Sequence, residues 1–161
     1  MPLNPLILQD ALYRLSTTDK PPDAFTAAAR IASAYREYAA GGVALGFPLL
    51  LPGPAAVTMD AALGAAFSTL PGVPPTVAAG FVTMVTAFWS GATFAAAPPG
   101  VAAPPTGVAV LQAALTALLV VPNPAIVYAT TVATALDVCT RTVLVTFPQP
   151  PPAPPLVGPV V

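Results

Sequence analysis

Residues 76–90 read Thr-Val-Ala-Ala-Gly-Phe-Val-Thr-Met-Val-Thr-Ala-Phe-Trp-Ser, a stretch without one charged side chain. Phe81, Val85, Phe88 and Trp89 recur at helical spacing, beside a stripe of small or polar residues at Thr76, Gly80, Thr83 and Ala87. A helix that is apolar nearly all round has to be buried, so the chain is expected to be built around this one.

Working outward, prolines punctuate the sequence at intervals suited to short helices, because proline is tolerated in the first helical turn and disrupts the interior. Pro71-Gly72-Val73-Pro74-Pro75 ends one helix and starts the next. Upstream, a helix over Pro54 to Leu70 has Met59, Leu63, Phe67 and Leu70 as its large apolar positions. Before it comes a Gly/Pro/Leu loop, Gly42 to Gly53, and Gly41-Gly42 stops a helix running from about Pro22 to Ala40. In that helix Phe25, Ala28, Ala32, Tyr35 and Ala39 keep one face, with Arg30, Ser33 and Glu37 opposite. The first helix aligns Leu8, Ala11, Leu12 and Leu15 and places Asp10 four residues before Arg14 on its exposed side.

Downstream, Ala95 to Thr106 is too rich in helix breakers to be regular and reads as a linker. A fifth helix, Gly107 to Val121, aligns Val108, Leu111, Leu115 and Leu118, and Pro122-Asn123-Pro124 turns the chain. The sixth begins near Ala125, and its polar residues Thr130, Thr134, Asp137 and Arg141 lie along one side that faces water or a partner. From Thr142 the period changes: Thr142, Leu144 and Thr146 alternate with Val143, Val145 and Phe147, so a strand is expected to end at Pro148. One strand cannot satisfy its own backbone. It pairs either with an early segment such as Gly42 to Leu51 or with a sheet from another chain. Pro148 to Val161 is expected to be extended polyproline II that makes contacts outside its own subunit. No internal repeat of fixed period is evident.

The expected fold class is therefore mainly α. A compact bundle of five or six short proline-delimited helices with a minor C-terminal β segment occupies residues 1–147, and an extended Pro-rich tail occupies 148–161. The core is expected to hold Leu12, Phe25, Tyr35, Leu63, Phe67, Phe81, Phe88, Trp89, Leu111, Leu115 and Leu118.

Charged residues make up 7% of the chain, where about 25% is usual, and hydrophobic residues make up 56%. Too few charges remain to cover the surface of a solitary domain, so other subunits or lipid are expected to cover part of it. Eight of the eleven charged residues lie between Asp10 and Glu37 and none between Ala61 and Leu136, which makes the N-terminal third the expected exposed part. A net charge of -1 with no basic stripe argues against a nucleic-acid partner. The chain has no histidine, and its serines sit in no Gly-x-Ser-x-Gly turn. Asp19 and Asp23 flank a Lys20-Pro21-Pro22 turn and read as a helix start rather than a metal site, and the glycines near Gly41 and Gly46 match no phosphate loop. No catalytic residue, metal or cofactor is expected, and the chain does not read as an enzyme. Cys139 reads as a small apolar packing residue. The opening Met1-Pro2-Leu3-Asn4 lacks a basic region before its first apolar run, so no secretory signal is expected.

With Leu8-Gln9-Asp10-Ala11-Leu12, the segment Ala32-Ser33-Ala34-Tyr35-Arg36-Glu37-Tyr38-Ala39-Ala40, Phe88-Trp89 and the Thr142-to-Phe147 ending, the chain resembles the small Ala/Pro-rich virion proteins of tailed bacteriophages. That resemblance implies a structural role in the neck, tail or baseplate or on the capsid. Its partners would be further copies of the chain and other structural subunits, and its location the virion, assembled in the host cytoplasm. The candidate interface residues are Tyr35, Arg36 and Tyr38 in the one dense polar and aromatic cluster, Val143, Val145 and Phe147 in the strand, and Leu156 and Val157 in the tail. The alternative is a small multi-span membrane protein. Val77 to Ala97 just reaches the roughly 20 residues a span needs, but prolines cut the other runs short and no Lys or Arg flanks them.

Overall fold

The computed structural model describes residues 3–69, 73–150 and 153–161. Met1, Pro2, Leu70 of the third expected helix, Pro71-Gly72 of the turn after it and Pro151-Pro152 of the tail lie outside them.

The helices fall close to where the apolar periods put them. They are α1 (Pro5–Thr17), α2 (Ala24–Ala39), α3 (Met59–Phe67, entered through a 3-10 turn at Pro54–Thr58), α4 (Pro74–Trp89), α5 (Val108–Val120) and α6 (Ala125–Thr140). Local chemistry sets their starts. Asn4 caps α1 by accepting the Leu6 N–H at 3.1 Å, and Asp23 caps α2 by accepting the Thr26 N–H at 2.8 Å. The same contact holds the Asp23 carboxyl below its usual range. Proline occupies the first turn of α1 and of α4.

The strands correct the expected fold class. Six of them occur among the described residues: β1 (Val43–Ala44), β2 (Phe47–Leu51), β3 (Thr93–Phe94), β4 (Gly100–Ala102), β5 (Leu144–Phe147) and β6 (Leu156–Pro159). They pair antiparallel in sequence order, and the two ends of the sheet approach each other. Ala44 bridges Val160, while Val43 and Val161 exchange N–H to carbonyl bonds of 3.1 and 2.9 Å. The result is a nearly closed barrel rather than a minor β segment. Gly42 to Gly53 and Ala95 to Thr106, read above as loop and linker, each contribute to it. The expected strand partner for β5 is also corrected, since β5 lies between β4 and β6. The tail from Leu156 is strand β6 of the chain's own sheet, not an extended arm reaching elsewhere.

Element order reveals what no sequence period showed: the chain is one unit, helix-helix-strand-strand, used three times. The second helix of each unit has 16 residues, and the three start at Ala24, Pro74 and Ala125, 50 and 51 residues apart. The strands that follow start at Val43, Thr93 and Leu144, at the same two intervals. Equivalent positions are buried in all three units, as in Ala28, Ala78 and Ala129, in Tyr35, Val85 and Leu136, and in Ala39, Trp89 and Thr140. Each helix packs on the next in sequence and α6 packs on α1, so the helices close a ring as the strands close a barrel.

The core runs through both layers. Trp89 at the end of α4 stacks on Phe94 (6.4 Å between centroids), Phe94 meets Phe147 (6.5 Å), and Phe147 meets Phe47 (5.3 Å). Gly100 makes room for this column, since a Cβ there would stand 2.3 Å from the Phe147 ring. Gly80 likewise lets α3 and α4 touch, as a Cβ would stand 2.5 Å from that of Ala66. Of the expected core, Phe25 is corrected: at 60% exposure it lies at the surface in the first turn of α2, its ring resting over Gly64 of α3. Leu118 is half-buried, and the other nine are buried.

Candidate interaction surface

The polar and aromatic cluster of α2 forms the joint between units. The Trp89 indole N–H donates to the Tyr35 hydroxyl at 2.8 Å, and that hydroxyl pairs with the Thr140 hydroxyl at 2.7 Å, so one buried network ties α2, α4 and α6 together. Tyr38 donates to Asp137 at 2.7 Å, and Arg141 grips the same carboxylate through Nε at 2.9 Å. Burial is the first cause raising both phenols far above the ordinary tyrosine range, so they stay neutral hydrogen-bonding groups. Arg36 pairs with Asp60 at 2.7 Å, holding α2 to α3. Of the candidate interface residues, Tyr35, Tyr38, Val143, Val145 and Phe147 are buried inside their own chain. The residue period was read correctly; which face met the rest of the chain was not visible in it. Leu156 and Val157 remain outside, each 53% exposed.

Buried groups elsewhere are inert. Burial pushes the Cys139 thiol up to about 11, away from the thiolate a nucleophile needs. Among the described residues, no three His, Cys, Asp or Glu side chains stand close enough to hold a metal ion.

What the structure does present is a surface. Described residues of the three hairpin connections, after β1, β3 and β5, gather around one cleft of the barrel. The first is a two-residue turn with positive φ at Leu45 (49°) and Gly46 (85°), the geometry that suits antiparallel strands. All three connections border an apolar cleft of about 400 Å³, with Leu45 and Phe47 from the first, Ala96 and Pro98 from the second, and Phe147, Gln149 and Leu156 from the third. The barrel exterior continues it. Pairing sets Leu51, Thr93, Val101, Thr146 and Val157 in one row across five strands, with Leu144 opposite Pro159 beside them; of the row, Leu51, Val101, Thr146 and Val157 are exposed, whereas the Thr93 hydroxyl is buried. Exposed antiparallel strands ordinarily alternate apolar inside with polar outside. Here Leu51 (60% exposed), Val101 (47%) and Val157 (53%) put apolar side chains on both faces.

Among the described residues, no strand carries an ionisable side chain; every charged residue lies on the helical layer or in the segments flanking its helices. A second apolar groove, about 310 Å³, lies between α5 and α6 and is bordered by Val110, Ala114, Thr130, Thr134 and Val138. The expected polar stripe on α6 thus edges a groove, with Thr130, Thr134 and Arg141 exposed.

The class defined by this arrangement is a threefold-repeated helix-ring and β-barrel body whose barrel strands are uncharged. No protein family, curated protein or solved structure matches the chain. No described helix is long and apolar enough to cross a membrane, and the strands, of two to five residues, fall short of the roughly 9–11 that a spanning strand needs.

Proposed function

We propose that the chain is a non-enzymatic structural subunit of a large protein assembly, a virion component of a tailed bacteriophage in its neck, tail, baseplate or capsid. The observation that carries this reading is the separation of charge: a helical layer that holds every ionisable side chain, above a barrel with apolar residues on both faces. Large exposed apolar surface marks a place where another protein sits. In the assembly, the α1–α2 side faces water and the barrel end is covered by neighbouring subunits. The texture shared with small Ala/Pro-rich virion proteins adds the choice of assembly.

A detergent-free lysate of the producing cells, separated on a density gradient, tests the reading. The chain is expected in a fast-sedimenting particle fraction at fixed stoichiometry to the other particle proteins. Recovery only as a slow-sedimenting free chain, or only in membranes that resist alkaline washing, would sink it.

A further inference from the structure

We infer that the helical layer binds a small uncharged alcohol with a compact apolar body, its hydroxyl held at Tyr128 in the first turn of α6. The site is independent of whatever covers the barrel.

Two cavities share a wall there. An outer cleft of about 560 Å³ opens between the end of α5 and the start of α6, bordered by residues 118–123. An inner cavity of about 170 Å³ lies among the first helices, bordered by Leu12, Leu15, Ala27, Ile31 and Phe67. Ser16 and Tyr128 border both. A dry apolar cavity of about 150 Å³ takes benzene, so the inner one has room for a six-membered ring. The pair thus offers an apolar seat beside a wetter opening, the usual build of a small-molecule site.

The three units show that the fold has no need of the Tyr128 hydroxyl. At the same place in the first and second units, 101 and 51 residues earlier, stand Ala27 and Val77, neither of which has a polar atom to satisfy. Tyr128 makes no hydrogen bond to any described residue, and burial alone pushes its phenol up to about 12. Among the described residues, the one side-chain polar atom wholly enclosed without a partner is Thr93 Oγ1, so the Tyr128 hydroxyl must open onto a cavity. It is a free hydrogen-bonding group at the wall between the two spaces.

The neighbouring polar groups select the ligand's head. Ser16 spends its proton on the Leu12 carbonyl at 2.9 Å, and the Asn123 amide N–H groups go to the Leu118 and Val121 carbonyls at 2.8 Å each. Both side chains keep oxygen lone pairs, so the head has to donate. A carboxylate cannot. No ionisable side chain other than the phenol itself borders either cavity, so an ammonium head would find no counter-charge. A hydroxyl donates without carrying charge and also accepts from Tyr128.

NMR titration of the full chain with benzyl alcohol, to about 10 mM, is the test, and saturable binding is expected with a dissociation constant below about 1 mM. Toluene, the same ring without the hydroxyl, and benzoate are expected to bind at least tenfold more weakly. Tyr128→Phe is expected to bring benzyl alcohol down to the level of toluene while keeping the wild-type melting temperature, because the hydroxyl holds nothing in the protein. Ala27→Met, which fills the inner cavity, is expected to abolish binding, and Val138→Lys, in the groove between α5 and α6, to leave it unchanged. Absence of saturable binding overturns the inference, as does toluene binding as tightly as benzyl alcohol. Binding that survives both Tyr128→Phe and Ala27→Met, or that is lost with Val138→Lys, places the ligand elsewhere and overturns it equally.

Discussion

Between α1 and α2 the outer groove carries Arg30, Ser33, Ala34 and Glu37; between α5 and α6 the equivalent positions, 101 residues on, are Thr131, Thr134, Ala135 and Val138. The backbones match, and inward positions such as Ala28 with Ala129 and Ile31 with Val132 are buried in both units. The groove-lining positions differ in charge. The fold itself therefore has no need of charge in one groove or of its absence in the other, and on the proposed subunit reading the first groove faces water and the third a neighbouring protein.

The units are joined by tyrosines that the first and third supply and the second lacks, and this gives the largest expected effect. Tyr35, Tyr38 and Tyr128 all have phenols pushed upward by burial, Tyr128 to about 12. A phenol whose folded pKa is raised contributes stability in full below the unfolded value, near 10, and loses it as pH rises toward the folded value. Cooperative unfolding is expected between about pH 10 and 12, with phenolate absorbance appearing together with loss of circular dichroism. Titration of all the tyrosines near pH 10 with the secondary structure intact would contradict their burial.

Trp89→Ala removes the second unit's part in the joint and the head of the aromatic column, at a cost of about 3–5 kcal/mol in denaturant melts. A smaller loss, about 1–3 kcal/mol, is expected for Tyr35→Phe, which strands the buried Trp89 N–H. Combined with Thr140→Val it sharpens the comparison: a coupling of about 0.5–3 kcal/mol in the double-mutant cycle would tie the first unit to the third, and strict additivity would deny the bond. Smallest of all is the effect of Arg30→Thr with Glu37→Val, which gives the first groove the character of the third. Stability is expected to move by less than about 0.5 kcal/mol. A larger loss would mean that the charges serve the fold after all.

Much of the helical layer was legible because apolar residues recur over 13 to 16 positions in most of its helices, long enough for the period to declare itself. The barrel was not, for a physical reason. Strands such as Thr93–Phe94 and Gly100–Ala102 are too short for alternation to register, and they hold their places through partners far away in sequence. Only β5, four residues of alternating burial, announced itself. The repeat escaped notice because it preserves roles rather than residues: Ala39, Trp89 and Thr140 occupy one position yet share neither size nor polarity. A signal was present in the Gly41-Gly42-Val43 and Gly91-Ala92-Thr93 turns, 50 residues apart, each ending a helix. The tyrosine cluster was found as a cluster, with Tyr35 assigned to the core, but the burial of Tyr38 was not legible, since one helical face looks the same whether it meets water or two other helices.

If three equivalent units close on themselves, the place where the chain begins is incidental, and that is the claim most open to direct test. Connections between units are short, Pro52-Gly53 after β2 and residues 103–107 after β4, and ring closure implies that a linker of similar length can join Val161 to the N-terminus. A circular permutant opened between Ala103 and Pro104 and joined in that way is expected to keep the wild-type circular dichroism and to melt cooperatively within about 4 °C of the parent. A permutant that shows no cooperative melting would contradict the threefold closed ring.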